Sequence, residues 1–112
     1  MWIQKRGNKY GAKKKEYNGR LYMSKGEAGY ARDLELRKRA GEITEIIPQY
    51  KISLDVNGYH ICNYIVDFRI TLSDGSIEFH EWKGFSTDVF RLKWKLCEAL
   101  YGKQYKMVLI QR

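Results

Sequence analysis

Hydrophobic positions recur along the chain with two periods, one typical of helices and one typical of strands. The predicted elements, in chain order, are a helix over residues 27–40, strands over residues 46–56, 59–72 and 76–83, a helix over residues 87–101 and a strand over residues 105–110. A Ser-x-x-Glu capping box at Ser24 precedes the first helix, and Gly41 ends it. Asn57-Gly58 is a hairpin signal. This order predicts an α/β fold with an αβββαβ core, in which a mixed sheet carries a helix on each face.

Both predicted helices carry an ionisable residue on the side that should meet the sheet. Glu27 lies on the apolar side of the first helix, where a carboxylate is costly without a partner. As the third residue of the capping box, it can also bond back to the amide of Ser24. Lys93 falls within the apolar stripe of the second helix, from which a lysine can reach solvent. That stripe consists of Val89, Leu92, Leu96 and Leu100.

The register of the second hairpin decides where a strand acid points. If residues 73–75 form a three-residue loop with Gly75 left-handed, Asp67 faces Glu81. Two carboxylates so paired repel each other unless a cation lies between them, and Lys83 shares a face with Glu81. A two-residue Asp-Gly loop is the alternative. It aligns the apolar residues of the two strands better and sends Asp67 to the other face.

The charge of the chain is concentrated near its start. The sequence has 112 residues and a net charge of +8, and residues 1–25 hold eight basic groups against one acidic group. We therefore predict a basic arm over residues 1–23, with a short hairpin at Asn18-Gly19, and one domain over residues 24–112. Lysines interleaved with aromatic residues favour nucleic acid as a partner, although a solvated tail is the alternative. The candidate DNA-binding residues of the arm are Lys5, Arg6, Lys9, Lys13, Lys14, Lys15 and Arg20.

Several classes of protein and site are disfavoured. No apolar run suits a membrane helix or a secretory signal, so we expect a soluble, cytoplasmic protein that binds no membrane. Cys62 and Cys97 lack ligand spacing, which indicates reduced, buried thiols rather than a zinc site or a disulfide. The absence of a Gly-rich phosphate loop argues against a nucleotide cofactor. We expect His80 to pack opposite Glu81 and His60 to lie on the surface.

Glu81-Trp82-Lys83 carries little weight by itself, since an acid-x-Lys tripeptide occurs about 1.5 times by chance in this composition. In its context, however, the chain resembles the PD-(D/E)XK nuclease superfamily and its restriction-endonuclease-like core. The matching positions are the helical Glu27, the strand acid Asp67, Glu81 and Lys83, and the basic Lys93 of the following helix. Val66 stands where the literal signature has a proline. A group of small phage and prophage proteins in that superfamily is similar over Asn8-Lys9-Tyr10-Gly11, Ser24-Lys25-Gly26-Glu27-Ala28, Ala40-Gly41-Glu42-Ile43, Tyr64-Ile65-Val66-Asp67-Phe68, Lys83-Gly84 and Arg91-Leu92-Lys93.

The resemblance implies a mechanism. Asp67, Glu81 and the backbone carbonyl of Trp82 would hold Mg²⁺, for which Mn²⁺ substitutes, and Glu27 would bind it through water or share a second ion. Lys83 would orient or deprotonate the attacking water. Lys93 would contact the phosphate, and the basic arm would clamp the DNA backbone without reading bases.

The implied function is a metal-dependent DNA endonuclease, selective for branched or otherwise structured DNA, in phage DNA recombination or processing within the host cytoplasm. Cutting both strands needs two active sites, hence a homodimer, with Trp94 as a candidate interface residue. The alternative is a non-catalytic DNA-binding accessory protein whose carboxylates are structural hydrogen-bond acceptors. A restriction-like enzyme with a fixed sequence preference is a third reading, for which the sequence shows no base-reading residues.

Overall fold

A four-stranded mixed sheet organises the protein, whose computed structural model describes residues 15–17, 20–22, 25–84 and 86–111. The elements are β1 (Lys15–Tyr17), β2 (Arg20–Tyr22), α1 (Lys25–Arg39), β3 (Ile43–Val56), β4 (Tyr59–Leu72), β5 (Ile77–Lys83), α2 (Asp88–Tyr101) and β6 (Lys106–Gln111). The sheet order is β3-β4-β5-β6, antiparallel except for the parallel pair of β5 and β6. The strands β1 and β2 form a separate antiparallel pair. The predicted αβββαβ order and mixed sheet are confirmed.

The end of α1 and the start of β3 are set by local backbone chemistry. Gly41 takes a left-handed φ of 87°, its N–H donates to the carbonyl of Lys38, and the next N–H donates to that of Arg37. This is a Schellman motif, which satisfies the last carbonyls of the helix. The strand β3 begins at Ile43, three residues before the predicted start at residue 46, and Pro48 is its sixth residue. Proline is tolerated there because β3 is an edge strand.

The β3–β4 hairpin has the turn that the sequence predicts, and the β4–β5 hairpin has one of the two loops that the sequence allowed. Asn57 and Gly58 connect β3 to β4 with φ values of 53° and 84°, as in a type I′ turn. In the second hairpin Gly75 has a φ of 89°, and the N–H of Leu72 donates to the carbonyl of Ser76 at 2.9 Å. The loop therefore has three residues. The two-residue alternative is wrong, and the register that places Asp67 opposite Glu81 is confirmed by the neighbouring pairs.

Two clusters of buried side chains lie on opposite faces of the sheet. One joins α1 to the sheet and contains Ala28, Ala31, Leu34, Ile43, Phe68 and Ile70. The other joins α2 to the sheet and contains Ile52, Leu54, Tyr64, Val66, Phe79, Phe90, Trp94 and Cys97. Adjacent residues of β5 point to opposite faces, and Phe79 belongs to the α2 cluster whereas His80 contacts Tyr30 of α1. Each face of the sheet thus carries one helix, as predicted.

The alternation of side chains is interrupted near Asp67. Val66 and Phe68 are two residues apart on β4, yet they belong to different clusters. Across the hairpin Gln49 takes a left-handed φ of 53°, and it does not pair with Asp67 although the pairs on either side form. Such an irregularity redirects side chains along a strand. This irregularity explains why the apolar residues of β4 and β5 favoured a two-residue loop although the hairpin has a three-residue loop.

The apolar side of α2 differs from the prediction. Phe90 and Trp94 are buried against Tyr64, with ring centres 6.3 Å away in both cases. Val89 and Leu92 are instead 63% and 70% exposed, so half of the predicted stripe is wrong. The aromatic rings occupy the core because they remove more apolar area from water than Val or Leu. Trp94 is only 8% exposed, so its prediction as an exposed interface residue is also wrong.

Two further expectations concern the cysteines and the membrane. Cys62 and Cys97 are both free, Cys62 half-buried and Cys97 fully buried. Burial raises the pKa of the Cys97 thiol to about 11, as expected of an inert structural cysteine. Over the described segments, neither helix has the length and apolarity needed to cross a bilayer.

Candidate active site

Asp67 and Glu81 meet where β4 and β5 diverge. The pair of Phe68 and His80 is the last of their ladder. Beyond this pair, side-chain carboxylates replace main-chain carbonyls as the acceptors between the strands. The N–H of Trp82 donates to Oδ2 of Asp67 at 2.8 Å, and the N–H of Asp67 donates to Oε1 of Glu81 at 3.3 Å. Each carboxylate thus bonds to the backbone of the other strand, which holds the two acids side by side.

Glu81 is buried among polar partners. Its side chain is almost fully removed from solvent, and the Tyr64 hydroxyl donates to Oε1 at 2.6 Å. Burial raises the pKa of the Glu81 carboxyl, and the nearby Lys83 ammonium and the Tyr64 hydroxyl only partly offset that rise. Burial and the charge of Glu81 also raise the pKa of Tyr64, so this hydroxyl remains a donor.

Lys83 is held from two sides. Its Nζ lies 3.2 Å from Oε2 of Glu81 and 4.4 Å from the centre of the Phe90 ring. An ammonium over an aromatic face is attracted by the ring quadrupole. Since Phe90 belongs to α2, the cation links β5 to the helix that covers this face. The predicted shared face of Glu81 and Lys83 is confirmed.

A third acid, Glu27 of α1, lies near Asp67 and Glu81. It is buried on the sheet side of the helix, as predicted, with 7% of its surface exposed. The pKa of the Asp67 carboxyl is raised well above its ordinary value, first by loss of water around it and then by the charges of Glu81 and Glu27. Three carboxyl groups are therefore electrostatically coupled next to one ammonium. The capping bond to Ser24 lies outside the described residues.

A glycine brings α1 close to this cluster. A Cβ built at Gly26 would lie 2.1 Å from Cζ2 of Trp82, well inside any allowed contact. Only the missing side chain lets the first turn of α1 rest on the indole, and Glu27 is the next residue. Sequence reasoning missed Gly26 and Tyr64. Gly26 could have been found because a glycine destabilises a helix and therefore needs a reason to be there. Tyr64 could have been found because it lies two residues before Val66 on the apolar side of β4.

The histidines lie where the sequence predicted. The His80 ring is buried, with Nδ1 2.5 Å from the Tyr30 hydroxyl and Nε2 2.8 Å from a carboxylate oxygen of Glu78. Burial lowers the pKa of His80, and burial also raises the pKa of Tyr30 to about 12. These bonds lock α1 to β5 on the face opposite Glu81. His60 is exposed and contacts Asp55 at the end of the first hairpin.

Among the remaining basic candidates, only Lys93 has a described side chain. Nζ of Lys93 donates to the backbone carbonyl of Asn63 at 2.9 Å, so its described contact is with β4. The candidates Lys5, Arg6, Lys9, Lys13 and Lys14 lie outside the described residues. The backbones of Lys15 and Arg20 belong to β1 and β2, and their side chains also lie outside the description. Their contact with phosphate stays a prediction.

The carboxylate oxygens of this site are ligands of the type that a hard metal cation binds. Among the described side chains, no group of three or more His, Cys, Asp or Glu residues is already arranged to hold a metal ion. Carboxylate oxygens are nevertheless the ligands that Mg²⁺ prefers, and it completes its shell with water. Burial and the neighbouring charges of Glu81 and Glu27 disfavour a negative charge on Asp67, and a divalent cation bound there would favour it.

Comparison with known proteins places the chain in a family. Residues 7–112 match the family described as "Protein of unknown function (DUF1064)". The chain belongs to the DUF1064 family. No curated protein matches it. The matched range of this DUF1064 chain includes every element of the fold and all residues of the candidate site.

Proposed function

We propose that this DUF1064 chain is a metal-dependent DNA endonuclease that hydrolyses phosphodiester bonds. The observation that carries the proposal is the convergence of Asp67, Glu81 and Lys83, with Glu27 close enough to raise the pKa of Asp67. Buried like charges cost stability, and acids with raised pKa values, such as Asp67 and Glu81, are typical of functional sites. The PD-(D/E)XK resemblance rests on five positions, and four of them are the residues of this cluster; the fifth, Lys93, contacts Asn63 instead.

Asp67 and Glu81, together with the backbone carbonyl of Trp82, would hold Mg²⁺ or Mn²⁺, and Glu27 would act through water or with a second ion. When bound, the ion would supply positive charge that polarises the scissile phosphate. The N–H of Trp82 and the hydroxyl of Tyr64 keep the two carboxylates in position. These second contacts fix the orientation of oxygen ligands before any substrate arrives.

Lys83 would act on the attacking water. Its ammonium is held between Glu81 and the Phe90 ring, with about a quarter of the side chain exposed. It can therefore orient a water molecule and stabilise negative charge on the phosphoryl oxygens. The water oxygen bonds to phosphorus and releases a proton to solvent as the ester P–O bond breaks, and the leaving oxygen takes up a proton from solvent.

The substrate would be branched or otherwise structured DNA, cut by a homodimer in the cytoplasm of a phage-infected host during recombination or processing. The basic excess of residues 1–25 supports a polyanionic partner. The basic arm and Lys93 would contact phosphates, which contributes affinity without sequence preference.

A second candidate is a non-catalytic DNA-binding accessory protein. The hydrogen bonds of the site favour it, because Glu81 and Asp67 already accept bonds from Tyr64 and Trp82 as structural carboxylates do. In that case the acids would fix the divergence of β4 and β5 rather than bind an ion.

The two candidates are separated by a cleavage assay. Wild type and Glu81→Gln are incubated with supercoiled, linear, flap and four-way DNA in Mg²⁺ or Mn²⁺, with exposed Glu98→Gln as the matched control. The endonuclease proposal predicts that wild type and Glu98→Gln cut branched DNA, whereas Glu81→Gln binds it without cutting. If wild type leaves every substrate intact with either metal, the accessory role is correct.

A further inference from the structure

An open groove with aromatic walls lies at the far end of α2 from Lys83. It has a volume of about 210 Å³, and its walls include Tyr50, Lys51, Arg69, Phe79, Tyr101 and Tyr105. Tyr101 is the last residue of α2, whereas Phe90, which contacts Lys83, is its third. At about 1.5 Å per residue along α2, Phe90 and Tyr101 are roughly 16 Å apart. The mechanism proposed above uses none of these residues.

We propose that this groove binds an unpaired base of a DNA strand. The inference rests on the proposed function for its partner, DNA, and it adds a site that would favour branched over fully paired substrates. Bases within a duplex are stacked and present only their edges, so a pocket that takes a whole ring selects an unpaired base.

The rings form a row across the sheet. Tyr50 stacks on Phe79 with centres 5.9 Å apart and an interplanar angle of 17°, and Tyr105 lies 5.1 Å from Phe79 at 56°. Tyr50 comes from β3 and Tyr105 precedes β6, so the strand order places them on opposite sides of Phe79. Phe79 is buried beneath this row, so the rings that a base can reach are those of the partly exposed Tyr50 and Tyr105. Aromatic side chains stack on any base, because every base has a π-face.

Cations border the rings. The guanidinium carbon of Arg69 lies 5.2 Å from the centre of the Tyr50 ring, and the adjacent Lys51 is exposed. Among the described residues that line the groove, none is acidic. The nearest acidic partner of Arg69 is Glu45, at 3.7 Å and largely exposed, so this ion pair is weak enough to exchange for a phosphate. Planar guanidinium groups also stack on bases and contact phosphates.

The size of the groove restricts its occupant. Pockets for drug-sized ligands measure about 300–1,000 Å³. A groove of about 210 Å³ is smaller and suits a single ring system rather than a peptide segment. A base enters it while the sugar and phosphates stay outside, next to Arg69 and Lys51.

The test is a fluorescence titration in EDTA, where no cleavage occurs. The probes are two duplexes of one sequence, each with a 2-aminopurine that is either unpaired in a flap or fully paired. We expect wild type to bind the flap probe about tenfold more tightly and to change its fluorescence, the scale expected of one stacked base. Tyr105→Leu and Arg69→Gln should each lose most of that preference, while Lys103→Gln, exposed and outside the groove, should keep it.

Equal binding of both probes by wild type, or a preference retained in the groove variants, overturns the inference. Circular dichroism verifies folding, and if Tyr105→Leu does not fold, Arg69→Gln and the exposed Lys51→Gln decide the outcome. The cleavage assay with Glu81→Gln is independent. A groove preference without cleavage leaves the inference standing and refutes the endonuclease, whereas cleavage without a groove preference does the reverse.

Discussion

The ammonium of Lys83 and the carboxylate of Glu81, two residues apart on β5, form an ion pair of 3.2 Å at the edge of the core. Tyr64 donates to the other oxygen of the same carboxylate. Glu81 is thus held by an ammonium group on one oxygen and by a hydroxyl on the other. Because Lys83 is paired with this fixed carboxylate, its ammonium, the only one described in the cluster, can act only next to Glu81.

Replacing Lys83 by methionine should weaken both stability and activity. Lys83→Met keeps the apolar stem but leaves the Glu81 charge without its cation, and for a partly exposed pair we expect a loss of about 1–3 kcal/mol in the free energy of unfolding. DNA cleavage should fall at least about 100-fold, the usual scale for a group that acts on the attacking water. Urea denaturation and cleavage rates measure the two effects. Lys95→Met, on the exposed side of α2, should change neither, and full activity of Lys83→Met would contradict the assigned role.

Removing the Tyr64 hydroxyl should destabilise the buried carboxylate. Tyr64→Phe retains the ring against Phe90 and Trp94 but removes the 2.6 Å donor to Glu81. A hydrogen bond to a charged group contributes about 1.5–3 kcal/mol, so urea denaturation at pH 7.5 should show a loss in that range. The loss should shrink at a pH where Glu81 is protonated. Tyr59→Phe, on an exposed side chain, is the control, and equal stabilities of the two variants would argue against the bond.

The contribution of Asp67 to the stability of the metal-free protein should fall as pH rises. Because the pKa of Asp67 is raised in the folded protein, its contribution is fully present below the unfolded pKa, about 3.9, and is lost as pH rises through the folded pKa. The slope for one proton is at most about 1.4 kcal/mol per pH unit. Relative to Asp67→Asn, wild type should therefore lose stability in EDTA between pH 4 and 8.

The comparison with Asp67→Asn also removes the effect of His80. Burial lowers the pKa of His80, so its contribution is present above its unfolded pKa, about 6.5, and is lost as pH falls. Since both proteins contain His80, the difference between their unfolding free energies reports Asp67 together with its electrostatic coupling to Glu81. Parallel profiles for the two proteins would show that Asp67 has an ordinary pKa.

Two glycines of α1 should respond to alanine in opposite directions. At Gly26 the new Cβ meets the Trp82 indole, and overpacking of this kind costs about 1–3 kcal/mol. A Cβ added at Gly29 would meet no atom of another element within 4 Å, so Gly29→Ala should stabilise the protein by up to about 1 kcal/mol. Thermal unfolding of the two variants measures this contrast. A stabilised Gly26→Ala would mean that α1 does not rest on Trp82.

Much of the candidate site could be predicted from short-range signals. The three-residue loop that ends at Gly75 is one of the two loops that the sequence allowed, and it is the one that places Asp67 beside Glu81. The burial of Glu27 follows from the helical period alone. Sequence patterns succeed here because each depends on a few neighbouring residues.

The rest depends on tertiary packing. Gln49 adopts a left-handed φ that no glycine or asparagine signals, so the change of face between Val66 and Phe68 was invisible. The positions of Val and Leu predicted the wrong buried side of α2 near Leu92. The side that is buried is determined by the contacts of Phe90 with Tyr64 and Lys83, which lie on strands distant in sequence. Tyr64 was missed for the same reason.

Calorimetric titration with Mn²⁺ tests the central claim most directly, because it asks whether the coupled carboxylates hold a divalent ion. Wild type and Asp67→Asn are compared, with Asp74→Asn in the exposed second turn as the matched control. We predict saturable binding to wild type and to Asp74→Asn and loss of that binding in Asp67→Asn. Absence of binding to wild type, or undiminished binding to Asp67→Asn, would contradict the account.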